Sequence, residues 1–195
     1  MMTRCIALSV LAAALTAGAA NAADTAEPTI RDTPLEVADT APAPTLPEFG
    51  ADKPIDLAKV FAEGPTVLVV LRGYPGYQCP LCSRQVGEYI QAAAKLREAG
   101  AQVVLVYPGG VSNLAERAEE FLAEKKLPEP LTMVLDPEYA LTDAYGLRWD
   151  APNETAYPST YIIGPDRKAT FAVVSKSHGG RVPVAKVLKE LQKAE

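Results

Sequence analysis

One stretch constrains this chain more than any other: Val67-Leu68-Val69-Val70-Leu71-Arg72-Gly73-Tyr74-Pro75-Gly76-Tyr77-Gln78-Cys79-Pro80-Leu81-Cys82. A continuous apolar run rich in β-branched residues is the pattern of a strand buried on both faces. The run ends in a Gly/Pro turn, and the turn hands two cysteines to the start of a helix. At i and i+3 on one helical turn, Cys79 and Cys82 share a face at a separation that suits a disulfide. Backbone N–H groups at that end of a helix lack partners and the dipole is positive, which favours thiolate over thiol. Pro80 is tolerated there because its missing N–H is not needed in the first turn. Arg72 and Arg84 are candidates to add positive charge. The stretch reads as a thiol–disulfide redox centre with Cys79 and Cys82 as the reacting groups.

Three plainer readings compete with it. A structural bridge would close a loop of only about four residues, worth roughly 2 kcal/mol, which is small for a domain this large. A structural zinc site would need two further ligands, and His178 is the only histidine. An inert buried pair fits poorly with a Gly/Pro-rich helix start. Copper(I) delivery is a further option, since paired thiolates suit a soft ion.

The third cysteine belongs to a different part of the chain. Met1-Met2-Thr3-Arg4 is a short basic start, Cys5 to Ala19 is an unbroken apolar and small-residue run, and Ala20-Asn21-Ala22 offers a small-x-small cleavage site. That is the pattern of a secretory signal peptide over residues 1–22, cut after Ala22 or one residue later. The competing reading is an uncleaved anchor, for which the run is short. Cleavage leaves Cys79 and Cys82 as the only thiols. It implies an exported protein, periplasmic or secreted, in a compartment where disulfides persist. No membrane span is expected after cleavage.

Residues 23–48 change character. Asp24, Glu27, Asp32, Glu36, Asp39 and Glu48 face only Arg31, and Pro28, Pro34, Pro42, Pro44 and Pro47 punctuate the stretch. It reads as an acidic, Pro/Ala-rich disordered linker. Residues 49–195 form the expected domain, and a chain that is 48% hydrophobic can build a substantial core there. A net charge of −5 gives no reason to expect nucleic-acid binding. No Gly-rich phosphate loop or haem motif points to a bound cofactor.

Within the domain, strands are expected at 66–71, 102–107, 131–135, 160–163 and 169–174. Helices are expected at 80–98, from Ser112 or Asn113 to about 126, from Asp136 through Tyr145, and from 183 to 194. Residues 55–63 read as a short lead-in. The order βα βα βα ββα argues for an α/β fold with a largely parallel sheet, made mixed by a terminal hairpin around Gly164-Pro165-Asp166, and covered by helices on both faces.

Strand, turn, CxxC, helix, strand and then Tyr157-Pro158-Ser159-Thr160-Tyr161-Ile162-Ile163-Gly164 resemble a thioredoxin-like fold. Within that fold the chain resembles the alkyl hydroperoxide reductase/thiol-specific antioxidant (AhpC/TSA, peroxiredoxin-like redoxin) family over about residues 45–193. Pro75-x-x-x-Cys79-x-x-Cys82 has the spacing of the peroxiredoxin motif P-x-x-x-T-x-x-C, with Cys79 in place of the threonine. Arg72-Gly73 followed by Cys79-Pro80-Leu81-Cys82 resembles the R-G and C-P-x-C signature of peroxiredoxin-like proteins. Asp136-Pro137-Glu138 and Ala144-Tyr145-Gly146-Leu147 are similar to the family segment before the late hairpin. The resemblance implies a cis-proline at Pro158 packed against the cysteines. Arg72, Pro75, Pro80 and Thr160 complete the supporting set. Proline stands where peroxiredoxins usually carry an arginine, so Arg72 or Arg181 is the candidate replacement charge. Arg181 reads equally well as a solvated surface residue.

Two mechanisms follow from the resemblance. In a peroxidase, the Cys82 thiolate attacks a peroxide oxygen and Cys79 condenses with the sulfenic acid. In thioredoxin-like exchange, Cys79 attacks a substrate disulfide and Cys82 resolves the mixed disulfide. Both need an external thiol reductant, thioredoxin-like or a membrane donor. A non-enzymatic thioredoxin-fold module with a static bridge is the alternative from another class. Trp149 and Tyr145 read as packing residues and His178 as part of an exposed loop.

Overall fold

The computed structural model describes residues 30–110, 112–123 and 125–193. The expected signal peptide, 1–22, lies outside them. Five strands form one sheet: β3 (Thr66–Val70), β4 (Gln102–Gly109), β5 (Leu131–Pro137), β6 (Ser159–Ile163) and β7 (Ala169–Val174), in the spatial order β5-β4-β3-β6-β7. A short antiparallel pair, β1 (Thr45–Pro47) and β2 (Pro54–Asp56), forms a separate small sheet beside β5. The α/β, thioredoxin-like expectation holds. The sheet is more evenly mixed than expected, because β3 and β5 run parallel to β4 while β6 is antiparallel to both β3 and β7.

The apolar run 66–71 explains why β3 lies in the middle. Val67, Val69 and Leu71 enter one core with Val86, Tyr89, Leu96 and Phe121. Leu68 and Val70 enter a second core with Leu57, Phe61, Leu141 and Tyr145. Successive side chains on a strand point to opposite faces, so a run without polar interruption needs cover on both sides. On the first side the cover is α2 (Pro80–Gln91), α3 (Ala93–Glu98), α4 (Leu114–Leu122) and α6 (Val184–Leu191); on the second it is α1 (Leu57–Glu63) and α5 (Ala140–Ala144).

Several expected elements shift. The helix expected over 80–98 is divided at Ala92, whose N–H is shared between the carbonyls of Glu88 and Tyr89 at 3.1 Å each. Asp136 does not open a helix but lies near the end of β5. Its buried carboxylate accepts from Leu141 N at 2.8 Å, Thr142 N at 2.9 Å and Thr142 Oγ1 at 2.6 Å, and so holds the start of α5 from outside.

The expected disordered linker is corrected over residues 30–48, which belong to the fold. Leu35, Ala41 and Leu46 are buried in the second core. The prolines remove donors, yet the remaining N–H groups find fixed acceptors. Leu35 N donates to Tyr145 O at 3.0 Å, Ala38 N to Ala169 O at 2.8 Å, and Ala41 N to Arg167 O at 2.7 Å. The segment packs so closely that a Cβ on Gly146 (φ +65°) would come within 2.1 Å of Thr33 O. Among the described residues no helix is long and apolar enough to cross a membrane.

Candidate active site

The cysteines stand where the C-terminal end of β3 turns into α2. The turn crosses the end of β4, and a Cβ on Gly73 (φ +74°) would lie 2.0 Å from Pro108 O, so only glycine fits after Arg72. Gln78 ties the far side of the turn down. Its carbonyl oxygen accepts from the Tyr107 hydroxyl at 2.9 Å, and its amide donates to Arg117 O at 2.9 Å. Cys79 is then the N-cap of α2, with extended backbone, and its sulfur accepts from Cys82 N at 3.4 Å. Pro80 follows at the first helical position, as its lack of an N–H permits. The Cys82 sulfur accepts the backbone N–H of Arg72 at 3.4 Å. Both cysteines are free thiols, with only 4% and 1% of their surface exposed.

Arg181 closes the site from the loop before α6. Its Nη2 donates to Cys79 Sγ at 3.4 Å and to Cys82 Sγ at 3.1 Å, while Nη1 donates to the carbonyl of His178. Arg181 favours ionisation of both sulfurs, and it is their own interaction that drives the two thiols apart. The hydrogen bond from Cys82, outweighing burial and joined by the Cys82 N–H and the Arg181 charge, brings Cys79 down to about 5. The same sulfur–sulfur interaction and deep burial push Cys82 well above its ordinary value, against the pull of Arg181. The shifts run in opposite directions, which favours Cys79 over Cys82 as the sulfur that ionises first.

Arg72 contributes differently from its expected role. Its guanidinium faces away from the sulfurs: Nε donates to Glu154 Oε2 at 2.6 Å, Nη2 to Asn153 O at 2.6 Å, and the group lies 4.8 Å from the Tyr77 ring centroid. Only its backbone N–H serves Cys82. Glu154 also meets His178 Nε2 at 2.7 Å. Burial opposes the Glu154 charge, but the hydrogen bonds from Arg72 and His178 prevail and hold its carboxyl below the usual range. The His178 ring lies 5.2 Å from Trp149, which stacks on Tyr157 at 4.7 Å.

The other expected residues are placed as follows. Pro75 is half-buried in the turn. Thr160 is buried in β6 opposite Val69 and Val173 and makes no hydrogen bond to either sulfur. Arg84 is exposed on α2. The expected cis peptide at Pro158 is corrected: among the described residues the cis bond is Glu129–Pro130, and Tyr157–Pro158 is trans. Pro158 leads directly into β6, and its carbonyl accepts Ser175 N at 2.9 Å, so it continues the extended ladder, as a proline at a strand entrance can. Glu154 is the residue beside the site that sequence reasoning missed. It is one acid in a loop, far along the chain from the arginine it meets, and no spacing or motif marks it. Among the described residues no cluster of three or more His, Cys, Asp or Glu side chains is arranged to hold a metal.

Comparison with known families matches residues 37–172 to the AhpC/TSA family. The chain belongs to the AhpC/TSA family. It is accordingly a thiol-dependent oxidoreductase. Solved peroxiredoxin structures superpose on most of it. Reduced Prx3 from Vibrio vulnificus has 21% identity and a TM-score of 0.65, covering 81% of this chain and 99% of that one. Peroxidoxin BcpB from Mycobacterium tuberculosis has 20% identity and a TM-score of 0.63, covering 83% and 99%. AhpC from Mycobacterium tuberculosis has 18% identity and a TM-score of 0.64, covering 83% and 93%. At these identities the likeness is one of fold. A search of curated proteins finds no match.

Proposed function

We propose that this AhpC/TSA protein reduces peroxides, with Cys79 as the attacking sulfur and Cys82 as the resolving one. One observation carries the reading: the Cys79 sulfur stands at the α2 N-terminus, within hydrogen-bond reach of Arg181, and is almost closed to solvent. A small peroxide needs less access to so covered a sulfur than a protein disulfide does. In the reaction the Cys79 thiolate attacks one peroxide oxygen and the O–O bond breaks. The departing oxygen takes up a proton and leaves as water or an alcohol, and Cys79 becomes a sulfenic acid. The Cys82 thiol then attacks Cys79, water leaves, and a disulfide forms. An external dithiol returns both sulfurs to the reduced state and is itself oxidised to a disulfide. Arg181 supplies the positive charge that the family places elsewhere.

This order reverses the one that motif spacing suggests, in which Cys82 would attack. What supports this order is that Cys79 has the N-cap position and its thiol is drawn down, while burial and the neighbouring sulfur push that of Cys82 up. Thiol–disulfide exchange is the second reading, and the same Cys79-first order favours it. The address is proposed as exported, periplasmic or secreted, supported by the basic start, apolar run and Ala20-Asn21-Ala22 of the sequence. N-terminal sequencing of protein recovered from the exporting cell's periplasm or medium tests it, with a start at residue 23 or 24 expected.

Mass spectrometry of the single-cysteine variants tests the chemistry. After hydrogen peroxide and dimedone, Cys82→Ser should carry a trapped sulfenic acid on Cys79, and Cys79→Ser should carry none. Labelling of Cys82 in Cys79→Ser at the faster rate contradicts the proposed order. In parallel samples given a protein disulfide substrate instead of peroxide, mixed disulfides on Cys82→Ser, with no sulfenic acid in the peroxide samples, favour exchange.

A further inference from the structure

We propose that Glu154 and His178 are positioning residues: together they pin the loop 175–181 across the start of α2, so that Arg181 rests on both sulfurs. The inference builds on the reading of Cys79 as the attacking sulfur. Arg181 sits on a loop rather than on a strand or helix, so something must fix where that loop lies. Its internal bonds fix only its shape, with Ser175 Oγ donating to Ser177 O at 2.9 Å and also meeting Gly179 O. Its place is set by contacts leading outward. Ser175 N reaches Pro158 O at the root of the loop, and at its tip the His178 ring meets Glu154 and lies against Trp149.

Glu154 is itself well fixed. Its own N–H donates to Ala151 O at 3.1 Å, and Trp149 N donates to Thr155 O at 3.0 Å across the same loop. One carboxylate oxygen is taken by Arg72 and the other by His178. Arg72 follows β3 directly, and its backbone N–H is on Cys82. The hydrogen bonds thus close a circuit from Cys82 through Arg72, Glu154, His178 and Arg181 back to both sulfurs. Neither Glu154 nor His178 bonds to a sulfur, so each acts through an arginine. A half-exposed histidine with no structural duty has no need of a largely covered carboxylate. Here the contact places the residue whose carbonyl holds the Arg181 side chain.

The test is a pH titration of thiolate absorbance near 240 nm on the reduced full-length protein. Arg181→Ala should raise the Cys79 midpoint, lowering the thiolate-to-thiol ratio below that midpoint by about tenfold or more. His178→Ala should move it the same way, by about three- to tenfold. His178→Gln keeps a side-chain N–H for Glu154 and should recover most of the loss. In an Arg181→Ala background, His178→Ala should add nothing further. The proposal is overturned if His178→Ala leaves the midpoint in place, if its shift persists without Arg181, or if glutamine fails to restore it. No peroxide enters the measurement, so a protein inert to peroxide would defeat the proposed function and leave this result readable.

Discussion

Of the two arginines next to the cysteines, one is paired with Glu154 and the other with the sulfurs. The Arg72 side chain is 2% exposed, and its charge is answered at 2.6 Å by a carboxylate that is itself 10% exposed. With that charge committed, Arg181 is the residue whose guanidinium reaches Cys79 and Cys82. Removing one partner of a buried pair leaves the other unanswered, typically at a cost of about 3–5 kcal/mol. Glu154→Gln should therefore destabilise the protein by about that amount in urea unfolding, and adding Arg72→Met should recover most of it. The thiols have their own signature. Cys79 titrates lower in the folded than in the unfolded chain, so between about pH 5 and the ordinary thiol value the unfolded chain holds a proton that the folded one has released. This contribution to the stability of the reduced protein grows as pH rises through that window and disappears as pH falls through about 5. The cysteine pair and its place at a helix start were legible in sequence because both are local. Glu154 was not, because a carboxylate meeting an arginine across a fold leaves no local trace.

The elements show the same division. Each of the five main strands announces itself as an apolar, β-branched run, and β3 has no polar interruption because two cores require its side chains. The proline-rich segment 30–48 hides its role, since its composition is that of a linker and its order comes from acceptors far along the chain. The side chains of Leu35 and Leu46 nevertheless enter a core, whereas Ile30 is 74% exposed. Leu46→Ala should cost about 2–5 kcal/mol in chemical denaturation. Ile30→Ala should change stability by less than about 0.5 kcal/mol. Comparable small effects at both positions would mean that the segment is only loosely attached.

For the whole molecule, the architecture sets a strand end, a helix start and three loops around one pair of sulfurs. A thiolate stabilised in the reduced state makes a couple easier to reduce, as the helix-terminal charge and Arg181 do here. The Cys79–Cys82 couple should therefore have a potential above about −300 mV, measured by equilibration with glutathione or dithiothreitol. A more negative value would assign the pair to a static bridge. The central claim is that Cys79 is the first sulfur to act. Its most direct test is site-resolved alkylation of the reduced wild-type protein with iodoacetamide across pH. Cys79 should label on a profile that rises through about pH 5 and is flat by about pH 7, while Cys82 stays unlabelled over that range. Earlier or faster labelling of Cys82, or a Cys79 profile still climbing above pH 8, would contradict the account.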